Sequence, residues 1–100
     1  MKLESHGDTL RITDLAELGA ANSNQVRDEA RAALGSEHKN IEVDLSATSF
    51  LDSCGLGALI ALHKTACDRS GMVRLLRPQP AVERVLELTR LHRVFQIVKT

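Results

Sequence analysis

The feature that most constrains this 100-residue chain is a point where a strand-like segment passes directly into a helix-like one. Phe50 and Leu51 are apolar, Asp52 and Ser53 follow at once, and residues 56–67 carry a helical apolar pattern. Such a junction holds the serine hydroxyl at a helix N-terminus, where free N–H groups and the helix dipole favour negative charge. Ser53 can therefore be a phosphorylation site, a nucleophile or simply a helix cap.

Strand and helix patterns alternate along the rest of the chain. Residues 3–13 alternate weakly around a turn at His6 to Asp8, which predicts a hairpin or two short edge strands. Ile41, Val43 and Leu45 give the clearest strand signal. A further strand is predicted at 73–76, and residues 94–98 close the chain as a short apolar segment. Helices are predicted from Asn22 to a stop at Gly35, from Leu56 to Cys67, and from Pro80 to Thr89. This alternation predicts an α/β layer with sequential crossovers.

Local patterns add detail to the first two helices. Asn22 and Gln25 fit a capping box, with Asn22 as the cap. Gly55 and Gly57 are expected to let the loop and the first turn of the second helix pack closely. The buried stripe of that helix is predicted to comprise Leu56, Leu59, Ile60, His63, Ala66 and Cys67. Cys54 and Cys67 then lie near opposite ends of one helix, beyond disulfide reach, so we expect reduced thiols.

Composition narrows the classes of function. The chain has 13 basic and 13 acidic residues and only 2% aromatic residues, so it lacks the basic footprint and stacking platforms of nucleic-acid binding proteins. The mild C-terminal cluster of Arg84, Arg90, His92 and Arg93 is typical of a solvated face. The longest apolar run is far too short for a membrane span, and the N-terminus has no secretion signal. We expect one cytoplasmic domain over residues 1–100 that binds neither nucleic acid nor membrane.

The residues give no support for an enzyme, a metal site or a cofactor site. No Gly-x-Ser-x-Gly elbow occurs, and no histidine lies in a recognisable catalytic context. His63 and Cys67 share a helix face, but two ligands do not complete a zinc site, so a boundary histidine and a packed cysteine are favoured. Gly55-Leu56-Gly57 lacks the third glycine of a dinucleotide loop, since Ile60 stands there.

The motif around Ser53 closely resembles the signature of the STAS domain, and specifically of bacterial anti-sigma-factor antagonists. The similarity rests on Asp44-Leu45-Ser46 followed by the ten residues from Phe50 to Leu59, reading FLDSCGLGAL. It extends to Ala20-Ala21-Asn22, to residues 80–89 and to Leu91 and Val94-Phe95, and is poor only over the first dozen or so residues. The resemblance implies a mixed β-sheet of four to five strands with helices packed mainly on one face.

The resemblance also implies a partner switch without enzymatic activity of its own. The unphosphorylated antagonist binds an anti-sigma factor that is a serine kinase, the kinase phosphorylates Ser53 with ATP, and a PP2C-type phosphatase reverses the mark. The implied partner-binding residues are Asp52, Ser53, Cys54, Gly55, Leu56 and Gly57. A phosphate adds about −1.5 to −2 charges, which a helix N-terminus tolerates but a close interface does not.

Two positions depart from the family pattern. Cys54 stands where a second serine is common, so Ser53 is the only hydroxyl residue directly after Asp52. Gly19 stands where the family usually has an aspartate near the switch serine. The main alternative function is a constitutive STAS-like subunit of a lipid-transport ABC complex or a stressosome-type assembly, and a nucleotide-binding sensor is a third.

Overall fold

The computed structural model describes residues 1–99 and contains two sheets and three α-helices. The elements in chain order are β1 (Lys2–His6), β2 (Thr9–Thr13), β3 (Glu17–Leu18), α1 (Ser23–Ala33), β4 (Asn40–Asp44), β5 (Phe50–Leu51), α2 (Ser53–Asp68), β6 (Val73–Leu76), α3 (Pro80–Leu88), a 3-10 turn (Leu91–Arg93) and β7 (Gln96–Val98). The main sheet has the order β1-β2-β4-β6-β7, with β1 antiparallel and the other neighbours parallel. The predicted mixed sheet and the N-terminal hairpin are confirmed.

The two faces of the main sheet differ in chemistry. Ile41 and Val43 are fully buried, together with Ile12, Leu75 and the apolar side chains of the helices. On the opposite face one row of side chains crosses all five strands in register, namely Glu4, Arg11, Glu42, Arg74 and Gln96. Because Glu42 accepts from both Arg11 (Oε1–Nη2, 2.9 Å) and Arg74 (Oε2–Nη1, 3.3 Å), this face is a linked set of charges.

Helix α2 begins at Ser53, at the predicted junction, and turns a face to the core that differs from the predicted stripe. Its buried residues are Gly55, Ala58, Leu59, Leu62 and Ala66. The predicted stripe is wrong at Ile60, which is 45% exposed, and at Cys67, which is exposed rather than packed. The reason is the close approach of Gly55 to β3, which sets the rotation of the helix. Both cysteines are free thiols, as predicted.

The N-terminus of α1 is not capped as the sequence pattern predicts. Asn22 does occupy the N-cap position, but its side chain makes no capping hydrogen bond. Its Oδ1 instead accepts from the Gly19 N–H at 3.0 Å and its Nδ2 donates to the Glu17 carbonyl at 2.7 Å. The side chain therefore holds the preceding turn, and the capping-box prediction is wrong. The helix ends at Ala33, just before the predicted stop.

The second sheet was not predicted and consists of two very short strands. Glu17 pairs with Phe50 and Leu18 with Leu51, in parallel. Phe50-Leu51 was predicted to be strand-like, but the two residues of β3 carry too little alternation for β3 or this pairing to be recognised from the sequence alone. This pairing brings the connection before α1 alongside the start of α2, which positions the candidate site.

Candidate functional site

Asp52 ties the start of α2 to the segment that follows β3. Its Oδ1 accepts from the Gly55 N–H at 3.0 Å, capping the helix, and its Oδ2 accepts from the Ala20 N–H at 3.1 Å. The hydrogen bond from Gly55, and next that from Ala20, hold the pKa of the Asp52 carboxyl below its usual range. The site therefore contains a fixed, ionised carboxylate directly before Ser53.

Ser53 is the first residue of α2 and is exposed. Its hydroxyl has no hydrogen-bond partner among residues 1–99. Because Asp52 already caps the helix, Ser53 is not needed as a cap, and that alternative is excluded. The hydroxyl is left accessible at a helix N-terminus, where an added anion is tolerated.

The six predicted partner-binding residues do not have equal access to a partner. Ser53, Cys54 and Gly57 are exposed, whereas Asp52 and Leu56 are half-buried and Gly55 is buried. A Cβ built on Gly55 would lie 2.0 Å from the Leu18 carbonyl oxygen, whereas one on Gly57 would meet nothing within 4 Å. The close-packing prediction is therefore right for Gly55 and wrong for Gly57.

Phe50 is a further surface residue of this site that the sequence analysis did not single out. It is 51% exposed, although it is one of only two aromatic residues in the chain. The sequence signal for this was that successive strand residues point to opposite sides, so Phe50 and Leu51 cannot both face the core. In the structure Leu51 is the buried one. A large apolar side chain thus stands in the open on β5, three residues before Ser53.

Gly19 lies against the Asp52 carboxylate. A Cβ at this position would come within 2.8 Å of both Asp52 Oδ2 and Phe50 Cε2. The absence of a side chain leaves room for Asp52 to reach the Ala20 N–H. Gly19 therefore leaves this space to the Asp52 carboxylate.

A groove of about 320 Å³ opens between the first turns of α1 and α2. Ser23, Asn24 and Arg27 line it from α1, and Cys54 and Gly57 line it from α2. The groove therefore lies next to Ser53, because Cys54, the following residue, lines it.

Neither a metal-binding cluster nor a membrane-spanning helix occurs in residues 1–99. Over that range, no group of three or more His, Cys, Asp or Glu side chains is arranged to hold a metal ion. Within the same residues, no helix has the length and apolar character needed to cross a bilayer.

Comparison with known sequences identifies the family. The family model for the STAS domain matches residues 1–100, and the chain therefore belongs to the STAS domain family. A Thermotoga maritima protein with the provisional name anti-sigma factor antagonist is 34% identical over 67 residues, which are 67% of this chain and 59% of that protein. The chain thus matches less than two thirds of that relative's length. The anti-sigma F factor antagonist of Paenibacillus polymyxa is 29% identical over 97% of this chain and 84% of that protein.

Solved structures agree with this assignment. The crystal structure of a Thermotoga maritima protein, also provisionally described as an anti-sigma factor antagonist, has a TM-score of 0.91 and 26% identity, covering 99% of this chain and 86% of that one. The unphosphorylated form of the anti-sigma factor antagonist SpoIIAA has a TM-score of 0.83 at 24% identity, covering 97% of this chain and 86% of that one. The latter likeness establishes the shared fold.

Proposed function

We propose that this chain is an anti-sigma-factor antagonist that binds an anti-sigma factor with serine kinase activity and is released when Ser53 is phosphorylated. The observation that carries the proposal is the exposed Ser53 hydroxyl, unpartnered among residues 1–99 and held directly after a capping Asp52. The names of the relatives support the class of partner. The chain itself acts as a non-enzymatic switch in the cytoplasm, and a PP2C-type phosphatase resets it.

The surface around Ser53 supports binding in the unphosphorylated state. Phe50 supplies exposed apolar area, and Gly57 leaves the surface of α2 open for close approach. Exposed aromatic side chains are typical anchors of protein interfaces. The anti-sigma factor kinase, when it is bound to this surface, covers the Ser53 hydroxyl that it phosphorylates.

Phosphorylation acts on this interface by charge and desolvation. The helix N-terminus and the fixed geometry of Asp52 let the domain keep its fold with a phosphate on Ser53. Across the interface the same phosphate must be desolvated beside the ionised Asp52. A penalty of about 3 kcal/mol corresponds to roughly a hundredfold loss of affinity, which suffices to change partners.

The phosphosite is tested by incubating the protein with its cognate kinase and ATP and mapping the product by mass spectrometry. A single phosphate on Ser53 is expected, and Ser53→Ala should remain unmodified. Ser49 is a useful internal control, because it is an exposed serine near the same junction. Modification of Ser49, or no modification, overturns the assignment of Ser53.

The switch is tested by calorimetric binding of the same kinase to two variants. Ser53→Ala is expected to bind as the wild type does, and Ser53→Asp to bind at least about tenfold more weakly. Equal affinities contradict the electrostatic account. Stable co-purification with a transporter ATPase, in place of the kinase, supports the constitutive-subunit alternative.

A further inference from the structure

The groove between α1 and α2 contains an incomplete set of anion ligands. The side chain of Asn22 is engaged with Gly19 and Glu17 and does not cap α1. In consequence the backbone N–H groups of Asn24 and Gln25 have no hydrogen-bond partner within residues 1–99. Unpaired N–H groups in the first turn of a helix attract anions.

Ser23 gives an independent sign of a ligand in this groove. The residue is only 6% exposed, yet it lines the groove, and its hydroxyl has no partner among the described residues. Every fully buried side-chain oxygen or nitrogen in the described residues has a hydrogen-bond partner. Because the Ser23 hydroxyl has none, its oxygen must be accessible from the groove. A hydroxyl that opens into a groove from a mostly buried residue and has no protein partner is satisfied by water or by a ligand.

Arg27 supplies the positive charge. Its Nε donates to Asp28 Oδ1 at 2.9 Å, and neither terminal nitrogen has a partner in the part of the chain that the structure describes. The side chain is only one-third exposed and lines the groove one helical turn after Ser23. A guanidinium whose two terminal nitrogens are both free matches the geometry of a phosphate oxyanion.

We propose that the groove lined by Ser23, Asn24 and Arg27 is a phosphate-binding subsite of this protein. Two sources present the same chemistry there: a free phosphate group, or the phosphate carried by Ser53, whose neighbour Cys54 lines the groove. The second source rests on the proposed function. In that case Arg27 binds the phosphate of phosphorylated Ser53 and holds it at the N-terminus of α1.

Free phosphate is tested with the unmodified protein by NMR. Inorganic phosphate is titrated at constant ionic strength, and the amide resonances of Asn24 and Gln25 are followed. Saturable shifts are expected at both, with affinity about tenfold lower in Arg27→Gln. Arg31→Gln is the matched control, because Arg31 lies on the same helix but outside the groove and binds Thr65 Oγ1. Ser23→Ala gives a second, conservative variant that should also weaken binding.

The Ser53 phosphate is tested without any kinase, by incorporating phosphoserine at position 53 during translation. The phosphate is expected to shift the Asn24 and Gln25 amides and to lose its second proton at a lower pH than in Arg27→Gln. Failure of a kinase to modify Ser53 leaves both tests intact. The subsite is overturned when neither free phosphate nor the phosphoserine moves these amides, or when Arg27→Gln and Arg31→Gln behave alike.

Discussion

Ala20 donates its backbone N–H to Asp52 Oδ2 at 3.1 Å, while the other oxygen of the same carboxylate caps α2. One short side chain thus joins the start of α2 to the connection between β3 and α1. Both hydrogen bonds favour the ionised form, first that from Gly55 and then that from Ala20, so the pKa of Asp52 is lowered. The carboxylate that precedes the switch serine is therefore also a structural link.

Replacing Asp52 by Asn is expected to destabilise the protein at neutral pH. The folded-state pKa lies below the unfolded one, so the ionised carboxylate contributes stability above the unfolded value, and this is lost as pH falls through the lowered pKa. Urea unfolding of wild type and Asp52→Asn should therefore differ most near neutral pH and converge in acid. A difference that stays constant across this range contradicts the ionised link.

Alanine at the two glycines of α2 is expected to have opposite effects. A Cβ at Gly55 meets the Leu18 carbonyl at 2.0 Å, so Gly55→Ala forces α2 away from β3 and costs about 3 kcal/mol. Gly57 has open space, so Gly57→Ala gains helix propensity and stabilises by up to about 1 kcal/mol. Denaturant midpoints of the pair measure both effects, and a loss of stability in Gly57→Ala is inconsistent with this packing.

A side chain at Gly19 is expected to disturb Asp52. Its Cβ would lie 2.8 Å from Asp52 Oδ2, so Gly19→Asn should cost about 1–2 kcal/mol through crowding. Gly19→Asp places a second carboxylate there and should cost more at neutral pH, because like charges repel. Comparing the unfolding of these two variants at neutral and acid pH isolates the charge. Equal stability at both pH values indicates that charge plays no part.

Much of the fold was predictable because its signals are local. The alternation of Ile41, Val43 and Leu45 gave β4, and the motif around Asp52 and Ser53 gave the strand-to-helix junction. The motif also predicted the family, because a set of residue types at fixed spacing can be recognised from the sequence alone. These features depend on neighbours in sequence, and a sequence pattern records such neighbours directly.

The errors arose where a distant residue decides the outcome. The buried face of α2 is set by contact between Gly55 and the Leu18 carbonyl, 37 positions earlier in the sequence. The spacing of apolar residues within the helix does not reveal such a contact. Asn22 has the residue type of a cap, but the Glu17 carbonyl and the Gly19 N–H compete for its side chain. The groove beside Ser53 is likewise lined by residues of two helices that are distant in sequence, so its lining could not be predicted from the pattern of either helix.

Neutralising Glu42 is expected to destabilise the outer face of the sheet. Its side chain is 14% exposed and its carboxylate bridges Arg11 and Arg74 on the two flanking strands, so Glu42→Gln removes the anion that both guanidinium groups contact. We expect a loss of about 1–2 kcal/mol, between the values for surface and buried pairs, and a smaller loss at high salt. The control is Glu29→Gln, because Glu29 is exposed on α1 and has no ion-pair partner within residues 1–99. Urea unfolding at low and high salt measures both, and equal midpoints for the two variants would show that the charge row contributes nothing to stability.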